Sequence, residues 1–152
     1  MLSCSDFAKH ALKLELYPKQ AEVLDSFFSG GYTQATWALG RRSGKTLMAA
    51  VACVYICFVL EDKFKKRVRK GEKWYVLTVA NSQDQSRIAL NNIRQLILDS
   101  PFAQEIVRET ADQLEMSNGC VFKAIPTSGR AARGLACCAC VFDELAFAVD
   151  GD

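Results

Sequence analysis

The sequence predicts an α/β fold built on a mainly parallel sheet. Segments with the period of strands alternate along the chain with segments of helical period, the order expected when helices cover both faces of a sheet. Half of the 152 residues are hydrophobic, 24% are charged and only three are proline, which is typical of an ordered globular domain. This length suits one domain, so residues 1–152 are expected to form a single one.

The first half of the chain supplies five predicted elements. They are a helix over 18–28, a strand over 33–39, a helix over 47–60, a strand over 74–80 and a helix over 83–98. Gly30 and Gly31 end the first helical pattern, and Ser82 is placed to cap the last helix. The helix over 47–60 is apolar nearly all round, as expected for one that packs against a central sheet.

Two patterns organise the second half. Asn118-Gly119 lies between apolar runs over 113–116 and 120–125, which predicts an inserted hairpin. A short apolar run over 137–142 suits a fully buried central strand that delivers two carboxylates at its C-terminal edge. Because the sequence stops soon afterwards, we expect the sheet to be incomplete at the C-terminus.

Charge and cysteine content exclude several classes. The formal charge of +2 is too mild to indicate nucleic-acid binding by itself, and the local run of seven cations over 63–73 is more often a solvated loop than a DNA contact. Seven cysteines, mostly in apolar segments, indicate a reducing compartment, and their spacing does not predict zinc. No secretory signal is recognised, and the longest apolar run, 47–60, is too short to span a bilayer, so no membrane partner is expected.

The segment Gly40-Arg41-Arg42-Ser43-Gly44-Lys45-Thr46 carries the clearest chemistry. It lies between a predicted strand and a predicted helix, where backbone N–H groups of a glycine-containing loop can bind phosphates. Gly44 lets the backbone approach the phosphate, Lys45 brings a positive charge to the β and γ phosphates, and Thr46 offers a hydroxyl to Mg²⁺. The match to the P-loop pattern is imperfect, because the first glycine stands at 40 and Leu39 occupies the standard position.

Three more residues complete a predicted ATP site. Asp143 is expected to hold Mg²⁺, directly or through water, and the adjacent Glu144 to polarise the attacking water. Gln20 lies 25 residues before Lys45, and its amide can donate to and accept from the adenine edge, which favours ATP over GTP.

These motifs together resemble the ATPase half of the large terminase subunits of tailed phages. The resemblance covers residues 14–146 and is carried by Tyr17-Pro18-Lys19-Gln20, the loop over 40–46, the hairpin at 118–119, Arg133-Gly134-Leu135 and Val141-Phe142-Asp143-Glu144. It implies a motor that hydrolyses ATP to drive double-stranded DNA into a capsid. The partners it implies are the viral portal, the small terminase subunit and further copies of the chain in a ring, at the procapsid in the host cytoplasm.

The resemblance also implies roles for arginines. Arg41, four residues before Lys45, is preferred over Arg42 as the P-loop arginine that senses or stabilises the γ phosphate. Arg133 resembles an arginine that reaches the nucleotide of a neighbouring subunit, and Arg130 is its competitor for that role.

One departure and two alternatives remain open. The family's coupling motif and its nuclease domain would follow the last residue, so a fragment or a truncated gene product is expected. A superfamily 2 helicase also combines an upstream glutamine with GKT and DE motifs, although Asp143-Glu144-Leu145-Ala146 is neither DEAD nor DExH. A degenerate nucleotide-binding module is the third reading, and retention of Lys45 and Glu144 argues against it.

Overall fold

The computed structural model describes residues 1–128 and 130–143 of the chain. Its helices are α1 (Cys4–His10), α2 (Pro18–Ser29), α3 (Lys45–Phe58), α4 (Glu61–Lys65) and α5 (Gln83–Leu98). Its strands are β1 (Trp74–Ala80), β2 (Ile106–Glu109), β3 (Gln113–Met116), β4 (Cys120–Pro126) and β5 (Cys137–Phe142). Short 3-10 turns span Pro101–Glu105 and Arg130–Ala132.

The five strands form one sheet in the order β2-β3-β4-β1-β5. Strand β1 lies at the centre of its parallel part and pairs in parallel with β4 on one side and β5 on the other. The hairpin adds two antiparallel pairings, β3 with β4 and β2 with β3. The carboxyl ends of β1, β4 and β5 therefore share one edge of the sheet, and their amino ends share the opposite edge.

Helices α3 and α5 lie side by side on one face of this sheet and form the main core with it. Ten consecutive residues of α3, from Met48 to Cys57, are buried, because α1 and α2 cover the side of α3 that faces away from the sheet. From the sheet, the alternate residues Trp74 and Val76 of β1 point into this core.

The opposite face carries a smaller apolar cluster of Leu77, Val79 and Ile125, against which Tyr75 and Leu135 pack. The connection from β4 to β5 runs across this face. The sequence predicts helices on both faces; the long helices within residues 1–128 and 130–143 gather on one.

Two predicted strand features are corrected. Residues 33–39 form no strand in the described chain: they are mostly exposed, and only Trp37 and Leu39 pack against the core. In the described sheet β5 is an edge strand rather than a fully buried central one, and Cys140 and Phe142 are exposed on it.

Other predicted elements are confirmed. Strand β1 has the predicted bounds, and the side chain of Ser82 caps α5 by accepting a hydrogen bond from the Gln85 amide at 3.2 Å. The predicted hairpin forms with Gly119 at φ +89°, a left-handed conformation that glycine adopts without strain. The hairpin is part of the main sheet rather than an insertion, because its second strand, β4, pairs along its whole length with β1.

The cysteines pack as small apolar residues. All seven are free, and Cys4, Cys53, Cys57 and Cys120 are buried. Burial raises the pKa of Cys53 to about 12, so this thiol stays neutral at physiological pH. Within the described ranges, no helix has the length and hydrophobicity needed to cross a bilayer.

Candidate functional site

The loop before α3 makes two turns that require left-handed backbone. Arg42 has φ +61°, and Gly44, which precedes the first residue of α3, has φ +77° and ψ +21°. The Ser43 amide donates to the Gly40 carbonyl at 3.3 Å, which closes the turn. The loop thus folds back on itself immediately before the helix begins at Lys45.

Gln20 braces this loop from α2. Its Nε2 donates to the Ser43 carbonyl at 2.9 Å, and its Oε1 accepts from the Tyr17 amide at 3.0 Å. A Cβ atom on Gly44 would lie 2.6 Å from Gln20 Nε2, so the side chain can lie here only because residue 44 is glycine. One hydrogen of Nε2 and one lone pair of Oε1 remain for another partner.

Several hydrogen-bond donors of the loop and of the first turn of α3 have no partner within the described residues. The first hydrogen bond of α3 runs from the Met48 amide to the Gly44 carbonyl at 2.9 Å, so helix geometry leaves the amides of Lys45, Thr46 and Leu47 without an intrahelical acceptor. The Ser43 hydroxyl oxygen is buried and has no hydrogen-bond partner among the described residues. Free amides and a partly positive helix end together suit an anion such as a phosphate group.

The loop lies at the carboxyl edge of the parallel strands. Asn118, in the turn before β4, donates to the carbonyl of Cys57 near the end of α3 at 2.9 Å, so α3 ends at the amino edge of the sheet and begins at the carboxyl edge. Asp143 follows β5 at that same carboxyl edge, and its amide donates to the Val79 carbonyl at 3.0 Å.

Asp143 is half-buried and lines a shallow depression together with Ala80, Gln85 and Ile88. In the part of the chain that the structure describes, no hydrogen bond or ion pair joins its carboxylate to Lys45 or Thr46. The structure therefore places the predicted metal ligands at one edge without a direct contact between them.

The predicted arginines are all exposed. Arg41 and Arg42 extend from the loop itself, whereas Arg130 and Arg133 lie on the connection between β4 and β5. The Arg133 amide donates to the Arg130 carbonyl at 3.1 Å, so both residues belong to one short turn. Glu144 lies outside the described residues.

Sequence reasoning missed the bracing role of Gln20. Tyr17 precedes the helix, Pro18 opens it, and Gln20 occupies the third helical position, where a glutamine side chain reaches back to the amide of the capping residue. This position predicts the bond to Tyr17. The second bond, to Ser43, depends on tertiary packing of α2 beside the loop.

The described fold is of the α/β class, a five-stranded and mostly parallel sheet flanked by helices, and it is consistent with a P-loop NTPase-like fold. Comparison with protein-family models finds no match, and comparison with curated proteins finds none either.

Among solved structures, the chain is similar to the crystal structure of the HK97 bacteriophage large terminase. The TM-score is 0.66 at 22% sequence identity, over 86% of this chain and 27% of that terminase. The similarity supports, at the level of the fold, the resemblance that the motifs carry. The chain spans about a quarter of the length of that protein.

The geometry predicts that Gly44→Ala destabilises the protein by about 2 kcal/mol, since an L-residue in the left-handed region costs roughly 1–2 kcal/mol and the new methyl displaces Gln20 from Ser43. Gly40→Ala is the matched control: its Cβ would meet nothing within 4 Å, so a change below about 0.5 kcal/mol is expected. Urea denaturation measures both values, and equal stability of the two variants would contradict the described loop.

Proposed function

We propose that this chain is the nucleotide-binding part of an ATP-driven DNA-packaging motor of the large-terminase type. The observation that carries the proposal is the loop over 40–46, held by Gln20 against the beginning of α3, in a fold similar to that of a phage large terminase. The motor's substrate would be ATP, and its cargo double-stranded DNA.

Phosphate binding is assigned to the loop and the first turn of α3. The amides of Lys45, Thr46 and Leu47 donate to phosphate oxygens, and Ser43 supplies its unpartnered hydroxyl. The ammonium group of Lys45 neutralises charge on the β and γ phosphates. Arg41 is exposed on the loop and is assigned to the γ phosphate, with Arg42 as the alternative.

Mg²⁺ would be held by the hydroxyl of Thr46 and the carboxylate of Asp143. Both are oxygen donors, which Mg²⁺ prefers, and both lie at the carboxyl edge of the sheet. When bound, the ion offsets the negative charge that develops on the phosphates during phosphoryl transfer.

Adenine recognition is assigned to Gln20. The side chain is already fixed by Tyr17 and Ser43, and its remaining hydrogen and lone pair match the donor and acceptor on the adenine edge. The same residue would then hold the loop in shape and read the base.

Hydrolysis needs two further groups. Glu144 follows Asp143 directly and is assigned as the base that polarises the attacking water. Arg133 is exposed on the connection between β4 and β5 and is assigned to the nucleotide of a neighbouring subunit in a ring, with Arg130 as its competitor. The portal and the small terminase subunit are the proposed partners of the assembled motor, in the host cytoplasm.

Lys45→Ala is expected to weaken binding of a fluorescent ATP analogue by about tenfold or more, because the loop loses the charge that meets the phosphates. Lys9→Ala, which removes an exposed positive charge on α1, serves as the control and should bind normally. An unchanged affinity in the Lys45 variant would remove the loop from nucleotide binding.

Mixed rings test the two hydrolytic assignments in the full-length polypeptide. Arg133→Ala and Glu144→Gln should each lower ATP turnover by roughly 10²-fold or more, and mixing the two variants should restore part of it, because an intact base in one subunit then faces an intact arginine in the next. Phosphate release is the readout. No recovery in rings of verified assembly would place Arg133 outside the neighbouring site.

A further inference from the structure

We propose that residues 63–73, the basic segment, form a surface that binds the phosphate backbone of double-stranded DNA. The segment comprises the end of α4 and the connection that leads to β1 at the amino edge of the sheet. The choice of DNA as the partner rests on the proposed motor function. The surface itself is identified from its charge, its exposure and its anchoring to the core. Its test is separate from that of the nucleotide site.

The basic segment concentrates the positive charge of the chain. It holds seven of the 19 lysines and arginines and a single carboxylate, Glu72. Because the formal charge of the whole chain is +2, the rest of the molecule is acidic on balance. An anionic partner steered by charge would therefore meet this surface first.

Most of these cations have no ion-pair partner within the part of the chain that the structure describes. Lys65 and Lys73 lie 3.7 Å from Glu61 and 2.9 Å from Glu115, respectively. The other five are exposed and make no ion pair with any described residue: Lys63, Lys66, Arg67, Arg69 and Lys70. The carboxylate of Glu72 accepts from the Arg69 amide at 3.0 Å, so it shapes the turn instead of pairing with a cation.

The segment is also anchored. Phe64 is buried and stacks on Trp74, with ring centroids 6.0 Å apart and planes inclined by 15°. Asn118 donates to Glu61 at 2.8 Å, which fixes the start of α4 to the hairpin turn. A turn follows, closed by the Glu72 amide donating to the Arg69 carbonyl at 2.9 Å. An anchored row of cations loses less conformational entropy on binding than a free tail does.

A DNA duplex fits this surface better than a membrane. A lipid surface is usually bound by cations interleaved with exposed apolar side chains, but Phe64 is buried and Val68 is partly buried against the core. A duplex needs only regularly spaced cations, because it presents one charge per roughly 1.7 Å of its axis.

The surface is remote from the nucleotide site. Helix α3 has 14 residues, so the phosphate-binding loop at its beginning and the basic segment beyond its end are about 20 Å apart. DNA held at the amino edge would leave the carboxyl edge open to ATP.

The test is binding of a fluorescent 30-base-pair duplex to the chain over a series of salt concentrations. The variant Lys66→Gln/Arg69→Gln/Lys70→Gln should bind about tenfold more weakly or worse, with the slope of log affinity against log salt reduced by roughly two to three. The control Lys9→Gln/Lys13→Gln/Lys19→Gln makes the same change in net charge on exposed residues elsewhere and should keep the slope. Lys66→Arg/Lys70→Arg keeps the charge and should retain binding.

Several results would overturn the proposal: no duplex binding by the unaltered chain, an equal loss in both glutamine variants, or preferential binding to phosphatidylserine vesicles over DNA. Circular dichroism verifies that each variant is folded. Nucleotide binding, followed in the same samples with the ATP analogue, separates the two claims. If the unaltered chain binds ATP but not the duplex, only the basic surface is contradicted, and if it binds the duplex but not ATP, only the motor site is contradicted.

Discussion

The left-handed backbone of Gly44 is the constraint on which the candidate site depends. It lets the chain turn from the loop into α3, and the missing side chain leaves room for Gln20 to hold the Ser43 carbonyl. A side chain at residue 44 would strain the left-handed backbone of the turn. It would also displace the Gln20 side chain from the Ser43 carbonyl. The Gly44 turn and the Gln20 hydrogen bond together fix the beginning of α3, and with it the direction of its free amides.

Helix α3 connects this loop to the rest of the molecule. Its ten consecutive buried residues fix it against the sheet and the neighbouring helices, so its two ends are held at opposite edges. The beginning presents free amides beside the edge that carries Asp143, and the end leads through α4 into a dense row of cations. The proposed nucleotide site and the proposed DNA surface therefore lie at opposite ends of α3.

Local sequence patterns predicted the bounds and caps of the elements better than they predicted which elements lie next to each other. The bounds of β1, the Ser82 cap and the Asn118-Gly119 turn depend on residues close in sequence, and each is confirmed. The strand over 33–39 and the burial of β5 depend on pairing between distant segments, which periodicity does not contain, and both predictions were wrong. In the site, the loop was predicted from its own residues, whereas the bond from Gln20 to Ser43 required the packing of α2.

Amide protection on addition of Mg²⁺ and ATP tests the central claim most directly. Hydrogen exchange resolved to single residues should slow at Lys45, Thr46 and Leu47, whose amides have no acceptor within α3, while exchange in the basic segment stays unchanged. Unaltered exchange at these three amides under saturating nucleotide, or protection confined to residues 63–73, would contradict a phosphate site at the beginning of α3.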